Sequence, residues 1–204
     1  MIAIVDYGLG NISAFSNLYK QINIETRTAR TAGELAGASK IILPGVGHFD
    51  HAMELLEASG MRGELDTAVL DRKVPVIGIC VGMQILAESS EEGKRDGLGW
   101  IKGRVKALRG LPVGNDKPLP HMGWNDVTPV QPHRLVAGLE TDARFYFLHS
   151  FYFDAAEPSA VMAVANYGAD FPCLVHSGNI FGVQCHPEKS HHWGARLLKN
   201  FAEL

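Results

Sequence analysis

Cysteine is scarce in this 204-residue chain, which has three, Cys80, Cys173 and Cys185, and no CxxC pair. Such an odd, dispersed set excludes a disulfide framework and a cysteine-based zinc site. Basic charge is not in excess either. Nineteen Lys and Arg face 22 Asp and Glu, for a net charge of −3. Nothing here compensates a phosphate backbone, so nucleic-acid binding has no electrostatic support. Long apolar runs are missing. The longest, over 74–87, is interrupted by Gly and Gln and is too short to cross a bilayer, so no membrane partner is expected. Residues 1–6 carry no basic segment and no small-residue cleavage site, so no signal peptide is read and the expectation is a cytoplasmic protein. His48 with His51, and His191 with His192, lack an Asp, Glu or Cys to complete a site, so neither metal nor cofactor is expected.

What is there is ordinary: 46% hydrophobic and 20% charged residues, over a length that suits one α/β domain, 1–204. Short apolar runs alternate with helical periodicity. Residues 2–5 form a run expected of a strand buried on both faces. A turn follows at 7–11, and Ile12, Phe15, Leu18 and Ile22 then recur near period 3.6. Further strands are expected at 23–28, 41–43 and 76–79. Two helical segments divided near Gly60 lie between the last two, and a helix opens around Met83, Ile85 and Leu86. This rhythm predicts a doubly wound, mostly parallel central sheet with helices on both faces. After Gly97 the pattern changes to strands at 104–108, 124–130, 144–153, 161–166, 173–176 and 180–184. They are antiparallel additions in the C-terminal half, with a hairpin turn at 177–179. A final helix is expected over 190–201.

Gly78-Ile79-Cys80-Val81-Gly82 falls where the fourth strand meets its helix. A G-x-nucleophile-x-G elbow exposes its central side chain above the sheet edge, and the helix start behind it favours a thiolate. The Val81 N–H is then placed as an oxyanion donor. A buried cysteine at a tight turn would show the same five residues, so the motif needs a base. His186-Pro187-Glu188 follows the last strand, and residues two apart on an extended segment point to one side. The carboxylate would fix the imidazole tautomer and stabilise the imidazolium. Pro44-Gly45-Val46-Gly47 follows the third strand and presents further N–H groups. In a doubly wound sheet all three segments collect at the carboxyl edge. A dinucleotide fingerprint beginning at Gly8 fails, because Ser13 stands where the third Gly belongs.

Together, the cysteine elbow continuing into Met83-Gln84 and the His186-Pro187-Glu188 segment resemble the class I, triad-type glutamine amidotransferases. The segments at 7–11, 44–47, 82–84, 121–125 and 186–190 are similar to the branch of separate glutaminase subunits. That likeness covers essentially the whole chain. Val81 stands where Leu is usual, and Phe151 where Tyr is common.

The resemblance implies attack of Cys80 on the side-chain amide of L-glutamine, with His186 as acid and base and Glu188 as its orienter. Val46, Gly47 and Val81 would form the oxyanion hole. Gln84, Glu92, His149 and Ser150 would bind the substrate. No ATP motif or acceptor site is visible, so the ammonia acceptor should lie on another polypeptide. The resemblance implies a (β/α)8 cyclase subunit, HisF, with Asn11, Tyr146 and Lys189 at the interface of a heterodimer. It also implies low glutaminase activity in isolation. An amidotransferase subunit of another pathway (anthranilate, aminodeoxychorismate, pyridoxal phosphate) and a free-standing cysteine hydrolase on this fold remain as alternatives.

Overall fold

The computed structural model describes residues 1–111 and 117–204. The first half runs β1 (Ile2–Val5), α1 (Ile12–Gln21), β2 (Thr26–Ala29), α2 (Ala32–Leu35), β3 (Lys40–Gly45), α3 (Phe49–Ala58), α4 (Arg62–Asp66), β4 (Val76–Cys80) and α5 (Val81–Gln84). The second half runs β5 (Ser89–Ser90), β6 (Gly103–Ala107), β7 (His121–Asp126), β8 (Thr128–Pro129), β9 (Arg144–His149), β10 (Phe151–Ala155), β11 (Val161–Asn166), β12 (Asp170–Ser177), β13 (Ile180–Val183) and α6 (His191–Ala202).

The main sheet has eight strands in the order β2-β1-β3-β4-β13-β12-β11-β8. From β2 to β13 all neighbours pair in parallel, and from β13 outward the pairing is antiparallel. The inner parallel strands β1, β4 and β13 are continuous apolar runs, because helices cover both of their faces. All four residues of β1, all five of β4 and all four of β13 are buried. The connection from β1 to β2 runs one way along the sheet and that from β2 to β3 runs the other. Helices α1 and α6 therefore pack together, apart from α2 with α4 and α3 with α5. The parallel sheet with antiparallel additions matches the fold class expected from the sequence.

Three local expectations are corrected. The strand expected over 144–153 is two strands in different sheets, β9 pairing β7 and β10 pairing β6. Likewise 124–130 divides into β7 and β8, and β8 joins the main sheet as its edge. The helix expected from Met83 onward is one turn, α5. It stops because the carbonyls of Ile85, Leu86 and Ala87 accept from the amides of Leu98, Ile101 and Gly99 instead of from a further turn.

Candidate active site

Strands β3, β4 and β13 are adjacent and parallel, with Gly45 opposite Cys80 and Val183 opposite Ile79. This register brings three chain segments to one point on the carboxyl edge. Cys80 ends β4 with the 44–47 loop on one side and Gln184, Cys185 and His186 on the other. These segments border a cleft of about 360 Å3 lined by Val46, Gly47, Cys80, Val81, Gln84, Glu92, His149, Ser150, Phe151, His186 and Lys189, among others.

Cys80 holds φ +55° and ψ −114°, a conformation that non-glycine residues avoid. Strain of this kind persists only where the surroundings impose it. The flanking glycines do so. A Cβ on Gly78 would press into the Gly82 carbonyl, and one on Gly82 into the Leu43 carbonyl of β3. Only glycine lets the elbow sit this close to two backbones. Because α5 is a single turn, it carries little helix dipole toward the sulfur.

Behind Cys80, the imidazole of His186 is buried and its Nδ1 lies 2.9 Å from Glu188 Oε1. Nε2 is left for Cys80, whose sulfur, like Glu188, favours the charged imidazole. Burial alone would favour neutral imidazole. The hydrogen bonds and charges of Cys80 and Glu188 outweigh it, and His186 is pushed up to about 9. Glu188 Oε2 is buried without a hydrogen-bond partner among the described residues, so the carboxylate is tied to His186 alone. The segment is anchored by backbone. The His186 amide donates to the Tyr146 carbonyl at 2.9 Å, and the Ser190 hydroxyl donates to the His186 carbonyl at 2.6 Å.

The other cleft residues divide by what holds them. Gln84 spends both amide hydrogens, on the Phe151 carbonyl at 3.2 Å and on Gln184 Oε1 at 3.1 Å, leaving its own Oε1 for an incoming donor. Glu92 is half-buried at the cleft wall. Its Oε2 accepts from the Phe49 amide at 2.8 Å, capping α3, which leaves the second oxygen free for a cation. His149 ends β9 and Ser150 links it to β10, and the His149 imidazole reaches the Phe151 carbonyl. Because the Phe151 carbonyl takes these bonds, Phe in place of Tyr at this position leaves them intact. The end of β3, which leads into Val46 and Gly47, is held from below. The Tyr7 hydroxyl donates to the Pro44 carbonyl at 2.8 Å, and Gly10 packs too close to Pro44 for a Cβ.

Of the expected interface residues, Tyr146 and Lys189 adjoin, with the ammonium 5.5 Å from the ring centroid. Asn11 caps α1 through its side-chain oxygen. The sequence reading missed Gln184. It is fully buried, and its Nε2 is 3.8 Å from the Cys80 sulfur. The available signal was a polar residue at the end of an otherwise apolar strand, two positions before the histidine. Cys173 and Cys185 are also buried, and burial pushes both thiols up, away from thiolate.

A nucleophile elbow, a buried imidazole–carboxylate pair and a polar cleft on adjacent strand ends can carry acyl transfer through a thioester. The family model that matches residues 4–204 is that of the glutamine amidotransferases of class I. The chain belongs to this family. Relatives of this amidotransferase include the imidazole glycerol phosphate synthase subunit HisH of Bdellovibrio bacteriovorus, 61% identical over the whole of both chains. The subunit of the same name from Leptospira interrogans is 50% identical over the whole of both. A crystal structure of a glutamine amidotransferase superposes with a TM-score of 0.77 at 21% identity, covering 99% of this chain and 97% of that one, which bears on the fold.

Proposed function

We propose that this amidotransferase is the glutaminase subunit of an imidazole glycerol phosphate synthase. In this reading, residues 1–204 act as one catalytic domain that hydrolyses L-glutamine to glutamate and ammonia. The ammonia passes to a HisF-type cyclase subunit, which forms imidazole glycerol phosphate and an aminoimidazole carboxamide ribotide in histidine biosynthesis. The observation that carries the chemistry is the strained Cys80 elbow facing the His186–Glu188 pair. The pathway rests on the full-length likeness to subunits of that name.

In the first half-reaction the Cys80 thiolate attacks the amide carbon of glutamine. The oxyanion takes hydrogen bonds from the backbone N–H groups of Val81 and the Val46–Gly47 loop, each worth about 3–4 kcal/mol of barrier. The His186 imidazolium gives its Nε2 proton to the departing nitrogen, and ammonia leaves the glutamyl thioester. In the second half-reaction neutral His186 takes a proton from water, the hydroxyl adds to the thioester, and the thiolate departs with glutamate released. Glu188 stays ionised and stabilises each imidazolium. Gln84 Oε1 and the free oxygen of Glu92 receive the α-ammonium, with His149 and Ser150 beside them.

Ammonia protonated in bulk water would be lost to the acceptor, so a partner must cover the cleft. The outer face of the β7–β9 ribbon supports such docking. Met122, Trp124 and Leu148 are 66%, 43% and 38% exposed, Met122 pairs with Leu148 and Trp124 with Tyr146, and Leu148 and Lys189 line the cleft. Asn11 belongs to the same proposed interface. The three free thiols fit a reducing compartment, the cytoplasm. Cys80→Ala tests the whole reading. It should abolish glutamine-dependent synthesis by the complex and spare synthesis driven by ammonium salts, and loss of both would defeat the assignment.

A further inference from the structure

Cross-strand partners share a face of the β7–β9 ribbon. Met122 opposite Leu148 and Trp124 opposite Tyr146 lie on the outer face, and His121 opposite His149 and Asn125 opposite Phe145 on the inner. The inner face carries a row of polar groups among aromatic rings. Asn125 Nδ2 donates to the Asn166 carbonyl at 2.8 Å and lies 3.3 Å from His121 Nε2. His121 Nδ1 lies 2.9 Å from His149 Nε2, and His149 Nδ1 lies 2.8 Å from the Phe151 carbonyl oxygen. The His121 ring stacks on Tyr167 and Phe147.

One placement of protons satisfies this row. A carbonyl oxygen only accepts, so His149 carries its proton on Nδ1 and, when neutral, offers Nε2 as an acceptor. His121 then donates from Nδ1 and accepts at Nε2. The far end agrees independently. Asn125 Oδ1 accepts from the Asp126 amide at 2.9 Å, which turns Nδ2 toward both Asn166 and His121. Both imidazoles therefore hold the Nδ1–H tautomer, the minor form of a free histidine. A second proton on either ring would set two N–H groups against each other. Burial acts the same way and pushes His121 down to about 4 and His149 down to about 3.

The row ends where Gln84 begins, since the Phe151 carbonyl accepts from both His149 and Gln84. We infer that His121 and Asn125 are positioning residues for the glutamine-binding wall of the cleft. They set the tautomer of His149 and, through it, the place of the Phe151 carbonyl and the Gln84 amide. This rests on the glutaminase reading above.

Long-range nitrogen–proton spectra of the full chain, labelled in histidine, should show His121 and His149 both as Nδ1–H tautomers. His121→Phe keeps a ring in the stack and removes the donor, and should turn His149 to the Nε2–H form. In the complex with the cyclase subunit it should raise KM for glutamine about tenfold with kcat within about threefold, the signature of lost substrate binding. Synthesis driven by ammonium salts should not change. His121→Asn, whose amide nitrogen occupies the Nδ1 position, should recover most of the loss. The inference is overturned by Nε2–H on His149 in the wild type, or by an unchanged KM in His121→Phe that melts as a folded chain. If His121→Phe does not fold, the wild-type tautomers and the KM of Asn125→Leu decide. A wild-type complex without glutaminase turnover would overturn the underlying reading and leave the tautomer result standing.

Discussion

The side-chain amide of Gln184 donates to the sulfur of Cys80 across 3.8 Å. The contact follows from register. Val183 lies opposite Ile79 in the parallel pair β13–β4, so the residues after them meet at the sheet edge. The amide cannot turn over, because Gln184 Oε1 accepts from Gln84, whose nitrogen is itself held by the Phe151 carbonyl. Gln84 of the cleft wall is thus joined to Cys80 through one buried glutamine.

Gln184→Met keeps the volume and removes the donor. A hydrogen bond to a charged group contributes about 1.5–3 kcal/mol, so kcat for glutamine should fall roughly ten- to a hundredfold. Gln184→Glu sets a carboxylate against the thiolate and should cost more. Single-turnover release of glutamate measures both, and an unchanged rate in the Met variant would show that the contact is packing only.

Glu188→Gln removes one of the two partners, the other being Cys80, that offset the burial of His186. With imidazolium raised to about 9 in the folded chain against 6.5 when unfolded, this pair stabilises the fold fully below pH 6.5, and that stabilisation is lost as pH rises through 9. The gap in urea stability between wild type and Glu188→Gln should therefore be wide at pH 6 and narrow above 9. The variant should also lose glutaminase turnover by several orders of magnitude, because neutral imidazole without its orienter neither holds the thiolate nor donates to the leaving ammonia.

His121 and His149 work in the opposite direction. Lys117 and His149 face the first ring, and His121 and His186 face the second, so each added proton meets burial and like charge. Unfolded histidines take up protons below pH 6.5, while the folded ones stay neutral down to about 4 and about 3. Stability should fall between pH 6.5 and 4, each histidine contributing at most about 1.4 kcal/mol per pH unit. His121→Phe should flatten that limb in chemical denaturation across the same pH range, and an equal slope in the variant would contradict the assignment.

Much of this architecture was legible because parallel strands buried on both faces read as unbroken apolar runs, as at β1 and β4. The elbow was legible because close backbone approach leaves glycine no substitute at Gly78 and Gly82. Glu92 was separable from its neighbour Glu91 only by the family likeness, since the contact that holds it at the cleft is made by a distant amide, that of Phe49. Gln184, His121 and Asn125 were hidden for a related reason. Their roles come from partners 28 to 104 positions away, or, for the His121–Asn125 step, from a tautomer that sequence does not encode. The short α5 escaped detection because tertiary amide donors, not a local stop signal, end it.

Gly82→Ala offers a direct measure of how tightly the elbow is packed. The added methyl meets the backbone carbonyl of Leu43, and β3 cannot move without opening its pairing with β4. Overpacking of this kind costs about 1–3 kcal/mol, so Tm should drop by several degrees. Cys80 should also lose its reactivity toward a glutamine-like affinity label, since the strained backbone that presents the sulfur would relax. Full labelling at wild-type rates would show that the elbow tolerates the shift.

The outer face of the β7–β9 ribbon gives the last test, because it separates docking from chemistry. Met122 and Trp124 alternate with the inward His121 and Asn125 along one strand, so charges can be placed on one face without touching the other. The double change Met122→Lys with Trp124→Asp removes apolar area from the outer face of the ribbon and leaves the His121–His149 row in place. Loss of two central apolar contacts is worth about 2–4 kcal/mol, so the Kd for the cyclase subunit should rise at least thirtyfold. Titration calorimetry reads that directly. Labelling of Cys80 in the isolated chain should proceed as in the wild type. Wild-type affinity in the double variant would move the docking face off the ribbon, and impaired labelling would mean that the two faces are not independent.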